Sequence, residues 1–164
     1  MQALDWVRAK AEIAEAADYL KSEGSPRVGA TGTCMGGALA LVAAQHAAVS
    51  CAAPFYGTPD PALVDVAKIA VPVQGHFGAL DDLAGFSDPT AAEKLRRELA
   101  SGACPESEVF VYDNAGHGFM NSAPDQPRIN EDVSVPTGFP KAQPDVQVLA
   151  WERLVAFFDK HLLK

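Results

Sequence analysis

The chain has 164 residues, 48% of them hydrophobic and 21% charged, with a formal net charge of −8. That is enough apolar material for one core, and the excess of acid excludes polyanions such as nucleic acid, or an anionic membrane surface, as partners. Cys34, Cys51 and Cys104 neither pair evenly nor form a Cys-x-x-Cys, so they outline no disulfide framework and no zinc site.

A reducing, cytoplasmic setting fits, since no basic-then-apolar leader is visible and no apolar run nears the roughly 18 residues of a membrane span. Residues 1–164 read as a single domain. In chain order, residues 4–21 carry a helical stripe of Leu4, Val7, Ala11, Ala14, Ala17 and Leu20 that stops near Gly24 and Pro26. A strand is expected over 27–32, a helix of small residues from 35 to about His46, and a short buried strand over 50–56. Asp60 and Pro61 look like the cap and first position of a short helix over 62–68, followed by a strand over 69–77. Ser87-Asp88-Pro89 opens a helix that ends before Gly102, with Ala91, Leu95 and Leu99 inward; residues 109–112 form the next strand. Residues 121–144, rich in proline and polar groups, are expected to be irregular and to cover part of the site. The last helix runs over 145–162, with Val148, Trp151, Leu154, Val155 and Phe158 on its buried side. Strands alternating with helices predict an α/β fold, a mainly parallel sheet in a three-layer αβα sandwich, with function gathered in the loops beyond the strand C-terminal ends.

One turn stands out. Gly32-Thr33-Cys34-Met35-Gly36-Gly37 carries an apolar strand into a helix with a cysteine at the corner and glycines two residues either side. This is the pattern of a nucleophile elbow, in which a strained turn exposes the nucleophile at a helix start, where the positive end of the helix favours a thiolate. The Met35 N–H would be one oxyanion donor. An inert core cysteine and a phosphate-binding loop are the competing readings. Thr31-Gly32-x-x-x-Gly36 resembles the cofactor loop of short-chain dehydrogenases, but none of Tyr19, Tyr56 or Tyr112 has the lysine four residues on that those enzymes pair with it.

Two further strand-end loops carry reactive side chains: Asp81 after the third strand and His117 after the fourth. Nucleophile, acid and base in that order are the order of the α/β-hydrolases. His117 would take the thiol proton and return it to the leaving group, while Asp81 would fix the imidazole tautomer. Alternatives stay open at each position: His76 as the base, Asp82 in place of Asp81, a metal held by His76, Asp81 and His117, or His117 as a plain loop histidine. His46 and His161 fall near helix C-termini, where the dipole suits a cation.

Five segments carry a wider resemblance: Gly32-x-Cys34-x-Gly36-Gly37, Phe55-Tyr56-Gly57, Gly75-His76-Phe77-Gly78-Ala79-Leu80-Asp81, Tyr112-x-x-Ala115-Gly116-His117-Gly118-Phe119, and Ala150-Trp151-x-Arg153-x-x-x-Phe157-Phe158. Together they resemble the dienelactone hydrolase (carboxymethylenebutenolidase) family over nearly the whole chain. The resemblance implies a Cys34–His117–Asp81 triad acting on an enol-lactone or related small ester, no cofactor, and Tyr56 and Phe119 beside the substrate. It also implies strands and helices ahead of residue 4, which would supply a second oxyanion donor and an acidic group engaging the cysteine. The chain therefore reads as the C-terminal portion of an α/β-hydrolase, with self-association through the exposed sheet edge expected of it alone. Gly118, Phe119, Met120 and Asn121 stand where the best-known members place a carboxylate-binding arginine, so the substrate is open. The contrasting reading is a catalytically weak or inactive relative that serves as a binding module.

Overall fold

The computed structural model describes residues 4–121 and 144–163; most of the stretch expected to be irregular, residues 121–144, lies outside the described residues. Four strands, β1 (Gly29–Thr33), β2 (Cys51–Phe55), β3 (Gln74–Gly78) and β4 (Glu108–Tyr112), form one sheet in the order β1-β2-β3-β4. Every pairing is parallel, with Thr31 opposite Ala53, Phe55 opposite His76 and His76 opposite Phe110. Parallel neighbours need crossovers, and four helices supply or flank them: α1 (Trp6–Ser22), α2 (Met35–His46), α3 (Pro89–Ser101) and α4 (Pro144–Leu162).

Side chains alternate across each strand, which separates two cores. On one face, Leu41 and Val42 of α2 and Ala92, Leu95 and Leu99 of α3 pack with Ala52, Phe77 and Val109. On the other, Ala150, Leu154 and Phe157 of α4 pack with Cys51, Ala53, Phe55 and Tyr112. The result is the expected α/β three-layer sandwich, with strands buried on both faces.

Local chemistry sets most element ends. Asp5 caps α1 by accepting from the Arg8 N–H at 3.1 Å, and Asp88 caps α3, with Pro89 at its first position. Three expectations need correction. Asp60 does accept from the Ala62 N–H at 2.8 Å, but residues 62–68 form only a turn and a 3-10 stretch, Val66–Lys68. The segment is too short to offset the cost of helix nucleation. β3 starts at Gln74, because Pro72 has no N–H to donate to a ladder and only its carbonyl serves β2, accepting from Ala52 at 3.0 Å. In α4 the inward residues are Gln147, Ala150, Leu154 and Phe157, while Val148, Trp151 and Val155 are exposed. Two apolar stripes share this helix, and the sheet surface of Phe55 and Tyr112 accepts the one led by the small Ala150.

Below α4 runs a polar chain inside an apolar layer. The Arg153 guanidinium lies 3.9 Å from the Phe110 ring centroid and 5.4 Å from that of Tyr112, which ends β4 with its hydroxyl turned toward β3. That hydroxyl meets His76 Nδ1 at 2.8 Å, His76 Nε2 meets Gln74 Oε1 at 3.1 Å, and Gln74 Nε2 donates to Glu108 Oε2 at 3.3 Å. A carboxylate only accepts, so Gln74 donates its amide to Glu108 and its Oε1 accepts from His76 Nε2–H, while burial of the ring favours a neutral imidazole whose Nδ1 accepts from Tyr112. His76 is then the neutral tautomer with its hydrogen on Nε2, stacked on Phe55 at 4.3 Å.

Burial, followed by the Arg153 charge, pushes His76 down to about 3. The folded state therefore favours neutral His76. The stability this contributes, on the order of a few kcal/mol, is complete above the ordinary histidine value of about 6.5 and is lost as pH falls toward about 3. Urea unfolding from pH 7 down to 4 should show a loss of stability steepened by about one proton taken up on unfolding, and His76→Gln should remove that component. An unchanged slope in the variant contradicts the neutral assignment.

Candidate active site

Three strand ends converge. β1 runs directly into Cys34, whose backbone lies at φ 55° and ψ −119°, a strained conformation for a non-glycine residue costing about 1–3 kcal/mol. The strain is held by neighbours: the Cys34 N–H donates to the Phe55 carbonyl at 3.0 Å, and the Cys34 carbonyl accepts from Gly37 at 2.9 Å. Gly32 abuts the Gly36 backbone so closely that a Cβ would overlap it, and a Cβ on Gly37 would lie 2.5 Å from the Phe55 carbonyl oxygen. Gly36, by contrast, has open space where its side chain would be. Of the two glycines that flank the cysteine symmetrically, Gly32 is thus the one whose place admits no Cβ, and the neighbouring Gly37 and Gly57 are as tightly placed around the turn.

β3 leads into the loop that carries Asp81, and β4 into the loop that carries His117. The two loops are stitched together, with the Ala79 N–H donating to the Tyr112 carbonyl and the Leu80 N–H to the Ala115 carbonyl, both at 2.9 Å. Gly78 sits against the Ala115 carbonyl with no room for a Cβ. The Asp81 and His117 loops are therefore fixed against each other.

The side chains meet in a line. His117 Nε2 is 3.1 Å from Cys34 Sγ, and His117 Nδ1 is 2.9 Å from Asp81 Oδ2. Asp81 and His117 are buried at 3% and 6% exposure, whereas Cys34 is half-buried. Asp81 Oδ1 accepts from the Leu83 N–H at 3.1 Å, which leaves Oδ2 to the imidazole; the adjacent Asp82 is exposed. His76 does not join them, both its ring nitrogens being engaged by Tyr112 and Gln74. His46 faces the Leu63 carbonyl at 3.2 Å, and His161 packs against Phe157.

Met35 opens α2, so its N–H is among those that helix geometry leaves without an intrahelical acceptor. Tyr56 also has a positive φ, 36°, and its ring meets that of His117 edge-on at 5.2 Å. Its hydroxyl is buried with no hydrogen-bond partner among the described residues; Thr33 and the Met120 backbone are the polar groups beside it, neither in bonding geometry. Burial pushes this phenol up to about 12, so it stays protonated and keeps a hydrogen to donate. Phe119 is buried and packs on Tyr56 at 5.1 Å and on Tyr112 at 5.4 Å, forming the wall behind Tyr56. Ser87, which the sequence reading placed only at a helix start, is fully buried with Oγ 3.0 Å from His117 Nδ1. Asp88 does the capping, which frees the Ser87 side chain to turn inward.

A parallel αβα sandwich with a cysteine at the β1–α2 turn, an aspartate loop after β3 and a histidine loop after β4 has the architecture of an α/β-hydrolase. Residues 2–162 match the model of the dienelactone hydrolase family, and the chain belongs to that family. It is 30% identical over 146 residues to a carboxymethylenebutenolidase of Rhodococcus opacus, covering 82% of this chain and 50% of that protein. A carboxymethylenebutenolidase of Pseudomonas putida is 30% identical over 125 residues, or 74% of this chain and 51% of the relative. The chain thus spans about half the length of these curated relatives. Among solved structures, a dienelactone hydrolase-like promiscuous phosphotriesterase from metagenomic libraries superposes with a TM-score of 0.72 at 21% identity, over 96% of this chain and 63% of that one. An α/β-hydrolase enzyme from a Medee basin deep-sea metagenome library gives 0.67 at 18% identity, over 100% and 67%. At such identities these two establish the fold alone.

The geometry separates the three thiols. Cys51 is fully buried on the sheet face under α4, and that burial pushes it up to about 11, while Cys104 is buried as well. Only Cys34 combines partial exposure with an imidazole in contact. In the folded protein at about pH 7, iodoacetamide should label Cys34 at least about tenfold faster than either other cysteine. Equal labelling of all three would show that the imidazole contact does not activate the thiol.

Proposed function

We propose that this chain carries the nucleophile, base and acid of a thiol hydrolase that cleaves a small carboxylic ester or lactone. The observation that supports the reading is the unbroken contact line Cys34 Sγ, His117 Nε2, His117 Nδ1, Asp81 Oδ2 at 3.1 and 2.9 Å. The names of the two carboxymethylenebutenolidase relatives point to the same substrate class.

In this mechanism His117 Nε2 takes the thiol proton as Sγ adds to the carbonyl carbon, and Asp81 holds the Nδ1–H and balances the imidazolium. The carbonyl oxygen gains the negative charge and accepts from the Met35 N–H. Collapse of the tetrahedral species breaks the ester C–O bond, and His117 returns its proton to the departing oxygen. A thioester on Cys34 remains; in a lactone the freed alcohol stays tethered to the acyl group. Water, deprotonated by His117, then adds to the thioester carbon, and cleavage of the C–S bond releases the carboxylic acid and restores the thiol. Tyr56, with its spare phenol hydrogen beside Cys34, contacts the substrate, and Phe119 backs it. The whole is one domain acting in the cytoplasm on a small molecule, with no cofactor in the chemistry.

Hydrolysis of p-nitrophenyl acetate and of an enol-lactone tests this reading. Cys34→Ala should abolish turnover, and His117→Ala should lower kcat by on the order of a thousandfold. His76→Ala, which leaves the contact line in place, should be milder. Turnover that survives Cys34→Ala would overturn the proposal, and an unmodified chain that binds the lactone without turning it over would favour a binding module instead.

A further inference from the structure

His117 Nδ1 has two oxygens within hydrogen-bond distance: Asp81 Oδ2 at 2.9 Å and Ser87 Oγ at 3.0 Å. Both come from the loop between β3 and α3, and a short strut fixes their spacing. Asp81 Oδ1 accepts from the Leu83 N–H at 3.1 Å, and the Leu83 carbonyl accepts from the Ser87 N–H at 3.1 Å. The same carbonyl also accepts from Phe86 at 3.1 Å and Asp88 at 3.3 Å, so the turn is locked around it. Ser87 is fully buried, out of reach of bulk water.

The chemistry of two oxygens on one nitrogen is asymmetric. A carboxylate accepts only, and therefore selects the tautomer with hydrogen on Nδ1 and a lone pair on Nε2 facing the thiol. A hydroxyl can accept or donate. Beside an ionised Asp81, Nδ1 carries the hydrogen and Ser87 Oγ accepts a share of it in a three-centre bond. Without the carboxylate, the hydroxyl turns and donates to Nδ1, which leaves hydrogen on Nε2 and blinds the base toward Cys34.

We propose that Ser87 is a positioning residue for His117: a second acceptor that holds the ring and stabilises its protonated form, and whose sign of action is set by Asp81. The proposal rests on the reading of His117 as the base for Cys34. The titratable groups facing His117 among the described residues are Cys34 from the start of α2, Asp81 from the β3–α3 loop and Tyr56 from the end of β2, with the Phe86 ring 6.2 Å away.

The test is the pH dependence of Cys34 alkylation by iodoacetamide, resolved per cysteine by mass spectrometry, because it needs no ester substrate. Ser87→Ala should slow labelling at pH 7 by roughly three- to tenfold, the net worth of one ordinary hydrogen bond. It should also move the half-maximal rate to higher pH, since the imidazolium that accompanies the thiolate loses an acceptor. Ser87→Cys, which fills the same space with a weak acceptor, should shift the profile the same way and guards against a folding defect in the alanine variant. In an Asp81→Ala background the effect should vanish or reverse, with Ser87→Ala labelling as fast as or faster than Asp81→Ala alone. An equal loss in both backgrounds, or an unmoved pH profile in both single variants, overturns the proposal. Absence of ester turnover in the unmodified chain would count against the proposed hydrolase activity and leave this measurement intact.

Discussion

The contact between the Cys34 thiol and the His117 imidazole, 83 residues apart in the chain, depends on the register of the whole sheet. β1 must end where the elbow begins, and β4 must end one loop short of the same point. β2 and β3, lying between them, set the distance to be crossed. Parallel pairing does this without tuning each loop separately, because all four strands point their C-terminal ends to one edge. The strain at Cys34, φ 55°, persists because the end of β2 grips the elbow through the Phe55 carbonyl and because Gly32 and Gly37 admit the close backbone approach. Tyr56, next along the chain, carries a second strained backbone and has no hydrogen-bond partner for its hydroxyl among the described residues. Strain and an unsatisfied buried donor at one place are costs that the two cores beneath must offset.

The two faces of the sheet divide the work. Under α1, α2 and α3 the core is nearly all aliphatic, and it fixes where the elbow helix sits. Under α4 the core contains aromatic rings and a polar chain that runs from Tyr112 through His76 and Gln74 to Glu108. That chain ties β3 to β4 along their length, from Gln74 and Glu108 at the strand starts to Tyr112 at the end of β4, and it occupies both nitrogens of His76. A histidine so placed adds pH sensitivity to stability, and the imidazole in contact with the Cys34 thiol is that of His117.

Residue patterns revealed the fold wherever periodicity and punctuation agreed. α3, with Asp88 before it, Pro89 at its first position and Gly102 after it, was readable to within a residue or two, as was the β1–α2 turn, because the close approach at Gly32 answers to backbone sterics. The exposed Val148, Trp151 and Val155 of α4 show where such reading stops. Two apolar stripes of equal periodicity lay on one helix, and only the relief of the sheet below it, with Phe55 and Tyr112 projecting, decides which one packs. Residues 62–68 had a proper cap and no length to support a helix. The choice of Asp81 over Asp82 follows from which carboxylate the loop turns inward, and Ser87 escaped notice because a serine ahead of Asp-Pro reads as a helix start. Its role is visible only once the loop closes on His117.

In the proposed mechanism Cys34 forms a covalent acyl intermediate with His117 as its proton carrier. Mixing the protein with a slight excess of an activated ester at about pH 7, quenching in acid within the first turnover and measuring the intact and digested mass tests it directly. The account predicts a mass increase of one acyl group on the peptide containing Cys34, lost on treatment with hydroxylamine and strongly diminished in His117→Ala. Acylation on any other residue, or product release with no adduct at Cys34 under conditions that trap a thioester, would contradict it.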